Sequence, residues 1–384
     1  MLIINAHILP MDGTSIENGY IYIKNGKISA VGNMDDIPDT LNNSGNKFDA
    51  KGALALPGFV DAHSHIGMWE DGLAFEGDDG NENTDPSTPN MRAVDAINPM
   101  DFAFTEALDG GVTTVVTGPG SSNPVAGQFA AIKTYGRRIE DMLIKAPLCM
   151  KFALGENPKI SFTEKGNAPK TRMATAAIIR ETLSKAVEYA EGKRKKNKDD
   201  RPEYDAKSEA ILPLLEGKIF AQFHAHRADD IFTAIRIAKE FKIKYVITHC
   251  TEGHLIADIL AKEGARAIVG PSLATRSKPE LKNQSFETPA VLSKAGVTTA
   301  ITVDHPVLPQ QFLPLAAALA VKAGMEKEEA LRAITINAAV ISGIDERVGS
   351  ITVGKDADIV VFDRDPLDIM AKTIFITVNG KRVK

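Results

Sequence analysis

The sequence predicts an α/β protein: a (β/α)8 barrel over residues 56–344, beside a small composite β-sandwich formed from both chain ends, residues 1–55 with 345–384. Two observations carry this. In the centre, continuous apolar runs of strand length alternate with helical stretches, the pattern of a parallel sheet covered by helices. At the ends, strand-like runs bracket Asn-Gly pairs, which supply the positive φ of a tight hairpin.

The ends read as "LIINAHIL", "GYIYIKNGKISAVG" and "FDAKGALALP", then "GSITVGKDADIVVFDRD" and "IFITVNGKRVK". Neither group is large enough to bury a core alone, so the two are expected to pair. Central strands are expected at 58–63, 112–118, 148–155, 219–224, 245–249, 266–270 and 298–304, with helices over 171–192, 229–241 and 254–264. "QFAAIKTYG" (128–136) is a weaker eighth strand. Eight strands close a barrel, whereas six or seven leave an open doubly wound sheet. Residues 68–99 form a long, acidic, turn-rich stretch. It reads as a lid or binding loop, or, more blandly, as a disordered insertion.

Composition excludes several classes. The 384 residues are 43% hydrophobic and 25% charged, with a net charge of −5, so neither nucleic acid nor an anionic membrane is an expected partner. The basic run "KRKKNKDDR" (193–201) contains its own acidic counterweight. Two distant cysteines, Cys149 and Cys250, make no disulfide scaffold and suit a reducing compartment. No leader is read, and no apolar run reaches the roughly 18 residues of a membrane span, so a cytoplasmic protein is expected. "GPGSSNPVAG" (118–127) lacks the lysine of a phosphate loop and the spacing of a dinucleotide fingerprint. It reads as a substrate loop. No Gly-x-Ser-x-Gly elbow or nucleophilic cysteine is present.

The polar residues fall at strand ends. His63 and His65 close the first central strand, and Glu156 follows the third. His224 and His226 follow the fourth, His249 the fifth, and Asp304 the last. In a parallel barrel these ends share one face, which holds the active site. A lone strand-end histidine is more often a hydrogen-bonded core or surface residue; the joint recurrence points to a metal site. Imidazoles with carboxylates suit Zn²⁺ best, with Fe²⁺, Mn²⁺ or Co²⁺ as alternatives, and one or two ions. His63 and His65 flank a single residue, so both rings point to one side of the strand. A second ion needs a bridging anion, for which Glu156 is preferred; Lys151, the only lysine nearby for carboxylation, lies about five residues deeper. Asp304 is expected to hold the metal and to take a proton from water that the metal has acidified.

"PGFVDAHSH", the histidine after the following "IFAQF" strand, "ITHC", the late aspartate and "GSITVGKDADIVVFD" together resemble the amidohydrolase superfamily over the whole chain. "KFALGENPK" and "FHAHRADDI" look closest to its imidazolonepropionase-related branch. The resemblance implies a barrel with a composite β-sandwich. It implies His63, His65, His224 and His249 as metal imidazoles and Asp304 as the catalytic carboxylate. Glu156 matches the pattern in which a glutamate replaces the carboxylated lysine. Homo-oligomers are common among such barrels. In "FHAHR" either histidine could be the ligand. If His224 is, His226 and Arg227 face substrate, unless Arg227 only pairs with Asp229 or Asp230. His254 touches substrate or simply opens a helix, and His305 is a candidate to orient Asp304.

The expected activity is hydrolysis of a C–N bond in a small molecule, an amide or cyclic amide, by attack of metal-bound hydroxide. The alternatives are deamination of an aminated heterocycle, a metallo-dipeptidase, and a non-enzymatic scaffold. "HAHR" lacks the glutamate a deaminase would place there, and the full ligand set argues against a scaffold.

Overall fold

In the computed structural model, which describes residues 1–42, 45–163 and 166–384, the strands gather into two sheets of eight. The chain opens with β1 (Leu2–Ile8), β2 (Ile16–Lys24), β3 (Lys27–Asn33), β4 (Lys47–Asp49) and β5 (Leu54–Pro57). The second sheet then follows as β6 (Phe59–Ser64), β7 (Val112–Thr117), β8 (Val125–Lys133), β9 (Leu143–Ala153), β10 (Phe220–Ala225), β11 (Tyr245–His249), β12 (Arg266–Val269) and β13 (Thr298–Ile301). The chain returns to the first sheet with β14 (Ile359–Phe362), β15 (Thr373–Val378) and β16 (Lys381–Arg382).

The first sheet has the order β16-β15-β14-β5-β1-β2-β3, with β4 added to β1. The two chain ends therefore meet at the antiparallel β5–β14 pair, where Ala55 faces Val361 and Leu56 faces Val360. Both Asn-Gly pairs sit at hairpin tips. Asn25 and Gly26 have φ of 52° and 77°, and Asn379 and Gly380 have 49° and 71°. Alternation along the strands assigns the faces. Ile359 and Val361 join Ile3, Ile21 and Phe375 in one apolar cluster. Val360, Phe362 and Ile376 turn the other way and pack with Phe59 and Val112 of the second sheet. A buried ion network also ties the two sheets. Lys133 of β8 reaches Asp356 at 3.0 Å and bonds Asp358, and Arg347 clamps Asp356 from outside at 2.8 Å.

The second sheet is a nearly closed barrel. Its strands lie in chain order from β6 to β13. The two edge strands approach each other through Thr302 Oγ1, which donates to the His63 carbonyl at 2.5 Å, and through the His65 N–H, which donates to the His305 carbonyl at 2.9 Å. Seven strands run parallel. β8 runs against both of its neighbours, which corrects the expectation of eight parallel strands. The reason is loop length. Only residues 118–124 join β7 to β8, and a parallel crossover needs a dozen residues or more.

Helices cover the outside. α1 (Ala103–Asp109) precedes β7. α2 (Glu156–Thr163), α3 (Arg172–Lys193) and α4 (Ala206–Leu215) separate β9 from β10. α5 (Ala228–Glu240), α6 (Ala257–Lys262) and α7 (Thr288–Lys294) separate the strands that follow. The predicted 171–192 helix begins where expected, because the Thr171 side chain accepts the Ala174 N–H as an N-cap. α5 buries Ile231, Ala234, Ile235 and Ala238, a helical stripe at i, i+3, i+4 and i+7. That stripe packs on Ala221, Phe223 and Ala225 of β10. The intervening Gln222 and His224 therefore point into the barrel. Among the described residues no helix is long and apolar enough to cross a membrane.

Candidate metal centre

Five histidines stand at the ends of β6, β10 and β11, all buried. In each, Nδ1 is already engaged. His63 Nδ1 lies 2.8 Å from Gln222 Oε1, His65 Nδ1 lies 2.6 Å from the Gly118 carbonyl, and His249 Nδ1 lies 2.7 Å from the Gly270 carbonyl. These three partners can only accept, so each Nδ1 carries the proton and each Nε2 keeps its lone pair. His224 Nδ1 pairs with the Ser121 hydroxyl at 2.8 Å and His226 Nδ1 with the Thr251 hydroxyl at 2.7 Å. The outer-shell partners thus turn five Nε2 atoms toward one space.

Asp304 closes that space. Its Oδ1 stands 3.3 Å from His63 Nε2 and 3.3 Å from His65 Nε2. Three acceptors face one another with no donor among the three, which repels unless a cation lies between them. Ligands held tetrahedrally at about 2.0–2.1 Å from zinc stand about 3.3 Å apart. The donor set and its spacing therefore fit a divalent ion. Two groups satisfy ligand spacing: His63, His249 and Asp304, and His224, His226 and His249, with the atoms of each group within 4.8 Å of one another. His224 Nε2, His226 Nε2 and Asp304 Oδ1 are buried without a hydrogen-bond partner. The backbone is bent to this end. His249 and Asp304 hold φ of 70° and 54°, a left-handed conformation that ordinary residues adopt only under constraint.

Burial sets the protonation of the imidazoles. It pushes His249 down to about 4, against the opposing pull of Asp304. His63 is pushed well below its ordinary value by burial and then by the Lys151 ammonium, and His224 and His226 by burial and then by His249. Neutral rings are the ligand form. Burial alone would raise the Asp304 carboxyl, but His249 and the adjoining His63 and His65 rings overcome it and hold it well below the usual carboxylate range.

Not every expected residue comes to this centre. Glu156 does not. Gly155 has φ +84°, and a Cβ there would lie 2.7 Å from Glu280 Oε2, so the chain turns away immediately after β9. Glu156 instead opens α2, and its carboxylate accepts the Glu280 N–H at 3.4 Å. Lys151 takes the place expected of Glu156. It is fully buried, and its Nζ reaches within 3.3 Å of His63 Nε2. Counting residues along the strand measured backbone depth and left out the length of the lysine side chain. Burial lowers its amine to about 8, with Asp304 opposing. His226 stands among the candidate ligands. Arg227 is committed to Asp229 through two bonds of 3.0 and 2.9 Å and lies outside the inner cavity. His254 bonds the Thr288 hydroxyl at 2.9 Å and is also absent from the cavity wall. Neither ring nitrogen of His305 has a partner. Sequence reasoning missed Gln222 and Glu280, the latter 3.6 Å from His226 Nε2 and 3.9 Å from His224 Nε2. Gln222 was findable, because it sits two residues before His224 on the same strand face.

The centre opens into a cavity of about 410 Å³, within the range of small-molecule sites. Trp69 and Asn81 line it from the acidic 68–99 segment, and Gly120, Ser121 and Ser122 from the glycine-rich loop. Asp304 is the only acidic side chain in its wall among the described residues.

A barrel with imidazoles and one carboxylate at its strand ends defines a class of metal-site hydrolases, and comparison with known proteins agrees. Residues 54–384 match the amidohydrolase family, and the chain belongs to it. It is an enzyme, a hydrolase acting on carbon–nitrogen bonds. The crystal structure of an amidohydrolase from Thermotoga maritima MSB8 superposes with a TM-score of 0.95, at 42% identity, over 100% of this chain and 99% of that one. Amidohydrolase tasK of Hapsidospora irregularis is 28% identical over 97% of this chain, which spans 41% of that protein's length. An imidazolonepropionase of Fusobacterium nucleatum is 26% identical over 90% of this chain and 85% of its own.

Proposed function

We propose that this chain is a metal-dependent amidohydrolase that cleaves the C–N bond of a small amide or cyclic amide. The observation that carries the reading is the meeting of acceptors: His63 Nε2 and His65 Nε2, each 3.3 Å from Asp304 Oδ1, in a buried pocket open to a small-molecule cavity. His63, His65 and Asp304 would hold one divalent ion, zinc for preference. His224, His226 and His249 would hold a second, with Lys151 rather than Glu156 as the bridging residue once its neutral amine has been carboxylated by CO2. When bound, the ion polarises the carbonyl under attack and acidifies water. Asp304 takes the proton from the attacking water and passes it to the leaving nitrogen. Gln222, Gly118 and Gly270 keep the imidazoles in the tautomer that leaves Nε2 free. Among the described residues no glutamate lines the cavity, which favours hydrolysis of an amide over deamination of a ring, which needs an acid to protonate the heterocycle.

The test is a screen of N-acyl amino acids, dipeptides and cyclic amides with added Zn²⁺ or Mn²⁺, alongside Asp304→Asn. Metal-dependent hydrolysis of at least one class is expected, with the variant keeping its metal and losing turnover. Near-normal kcat in Asp304→Asn, or no divalent ion bound by the purified protein, would refute the reading.

A further inference from the structure

One wall of the cavity carries a charge that hydrolysis itself does not use. Lys278, between β12 and α7, is the only lysine or arginine lining the cavity among the described residues. The other polar groups of the wall beyond the metal-site histidines and Asp304 are neutral, among them Asn81, Ser121, Asn157, Ser161 and Ser277. The ammonium is held in place rather than trailing in solvent. Its Nζ donates to Asn157 Oδ1 at 2.8 Å and stands 2.9 Å from Glu280 Oε1. Those two partners occupy two of its three N–H donors.

The simplest role for Lys278 is to neutralise Glu280, which is only 1% exposed. That role does not account for its placement. Glu280 also accepts the backbone N–H of Glu156 at 3.0 Å, and it is not part of the inner cavity wall. Lys278 is 26% exposed and does line that wall. A molecule in the cavity therefore meets a positioned ammonium, with the carboxylate that orients it hidden behind.

We infer that Lys278 is an anion subsite, and that the substrate is an amide carrying a carboxylate which this ammonium binds while the C–N bond lies at the histidine–aspartate centre. The inference rests on the hydrolytic reading and names its substrate class. The Lys278 N–H donates to the carboxylate, a charge-assisted bond that a neutral carboxamide cannot replace. Asn157, at the start of α2, and Glu280 fix the distance of that bond from the metal ligands, so the loops after β9 and β12 jointly select the acid.

The experiment compares N-acetyl-L-leucine with N-acetyl-L-leucinamide on the metal-loaded enzyme, following acetate release. The acid is expected to be preferred in kcat/KM by about ten- to hundredfold, mostly through KM. That ratio should fall to about one in Lys278→Met and survive in Lys278→Arg. Should Lys278→Met fail to fold because Glu280 loses its partner, the double variant Lys278→Met/Glu280→Gln removes both charges and is read the same way. Equal use of acid and amide by the unaltered enzyme overturns the inference, and so does a Lys278→Met that slows both alike with the ratio intact. If neither compound is cleaved, hydrolysis of such amides is refuted separately. Calorimetric titration with N-acetyl-L-leucine then decides the subsite: binding lost in Lys278→Met supports it, and no binding to the unaltered protein ends it.

Discussion

Replacing Gln222 by methionine tests how far the metal site depends on a residue that is not itself a candidate ligand. Gln222 Oε1 is the acceptor that fixes the proton on His63 Nδ1, at 2.8 Å, and its amide donates to the Ala62 carbonyl at 3.2 Å. Methionine has similar volume and offers neither group. Two consequences follow. First, the His63 tautomer is no longer imposed, and loss of such an outer-shell partner costs about 10- to 100-fold in metal affinity, or about 1.4–2.7 kcal/mol. Second, a buried N–H and a buried carbonyl are left unpaired, each costing about 1–3 kcal/mol of fold stability. The assay is a chelator-competition titration with Zn²⁺, run beside urea denaturation of the metal-free protein. Gln222→Glu, which keeps an acceptor at the same place, should hold affinity closer to the parent than Gln222→Met does. A zinc affinity in Gln222→Met within about threefold of the parent, with the fold intact, would refute the tautomer argument.

Other outcomes follow from the same geometry. Gly155→Ala should destabilise by about 1–3 kcal/mol, because φ is +84° and the new Cβ would meet Glu280 Oε2 at 2.7 Å; an unchanged denaturation midpoint would contradict this. The metal-free protein should lose stability as pH falls. Burial holds His249 at about 4 against 6.5 when unfolded, so between those values the unfolded chain binds the extra proton. That contribution is intact above about pH 6.5, is lost progressively down to about pH 4, and reaches about 3 kcal/mol for this residue. Equal stability at pH 7 and pH 5 in urea titrations would count against it. Lys133→Met leaves the Asp358 carboxylate buried beside Asp356 without its cation, and should cost about 3–5 kcal/mol by chemical denaturation. Lys151→Met should reduce bound metal from two ions to one by elemental analysis in bicarbonate buffer; two ions retained would exclude Lys151 as the bridge.

Much of this was legible in the chain. The imidazoles and Asp304 were readable because strand-end position is a one-dimensional signal: an apolar run followed by a polar residue recurs in the text of the sequence. The reversal of β8 was also within reach, since residues 118–124 are too few for a crossover. Glu156 was misplaced because one residue, Gly155, turns the backbone into the left-handed region just before it. Lys151 was dismissed because strand depth says nothing about how far a four-carbon side chain climbs. Lys278 and Glu280 were not legible at all. They stand in "TRSKPELKNQ", which has no periodicity, and only the folding of the β12–α7 connection against α2 brings them beside His226 and Asn157.

The β5–β14 seam has a consequence for how the chain matures. A ribosome releases β5 long before β14, with the whole barrel in between. Until β14 emerges, the edge of β5 stays open, and its unpaired N–H and C=O groups can template association with another nascent copy. Completion of the first sheet thus waits until the whole barrel has been made. Conditions that slow synthesis of residues 345–384, which carry β14, β15 and β16, should therefore raise aggregation before they touch catalysis.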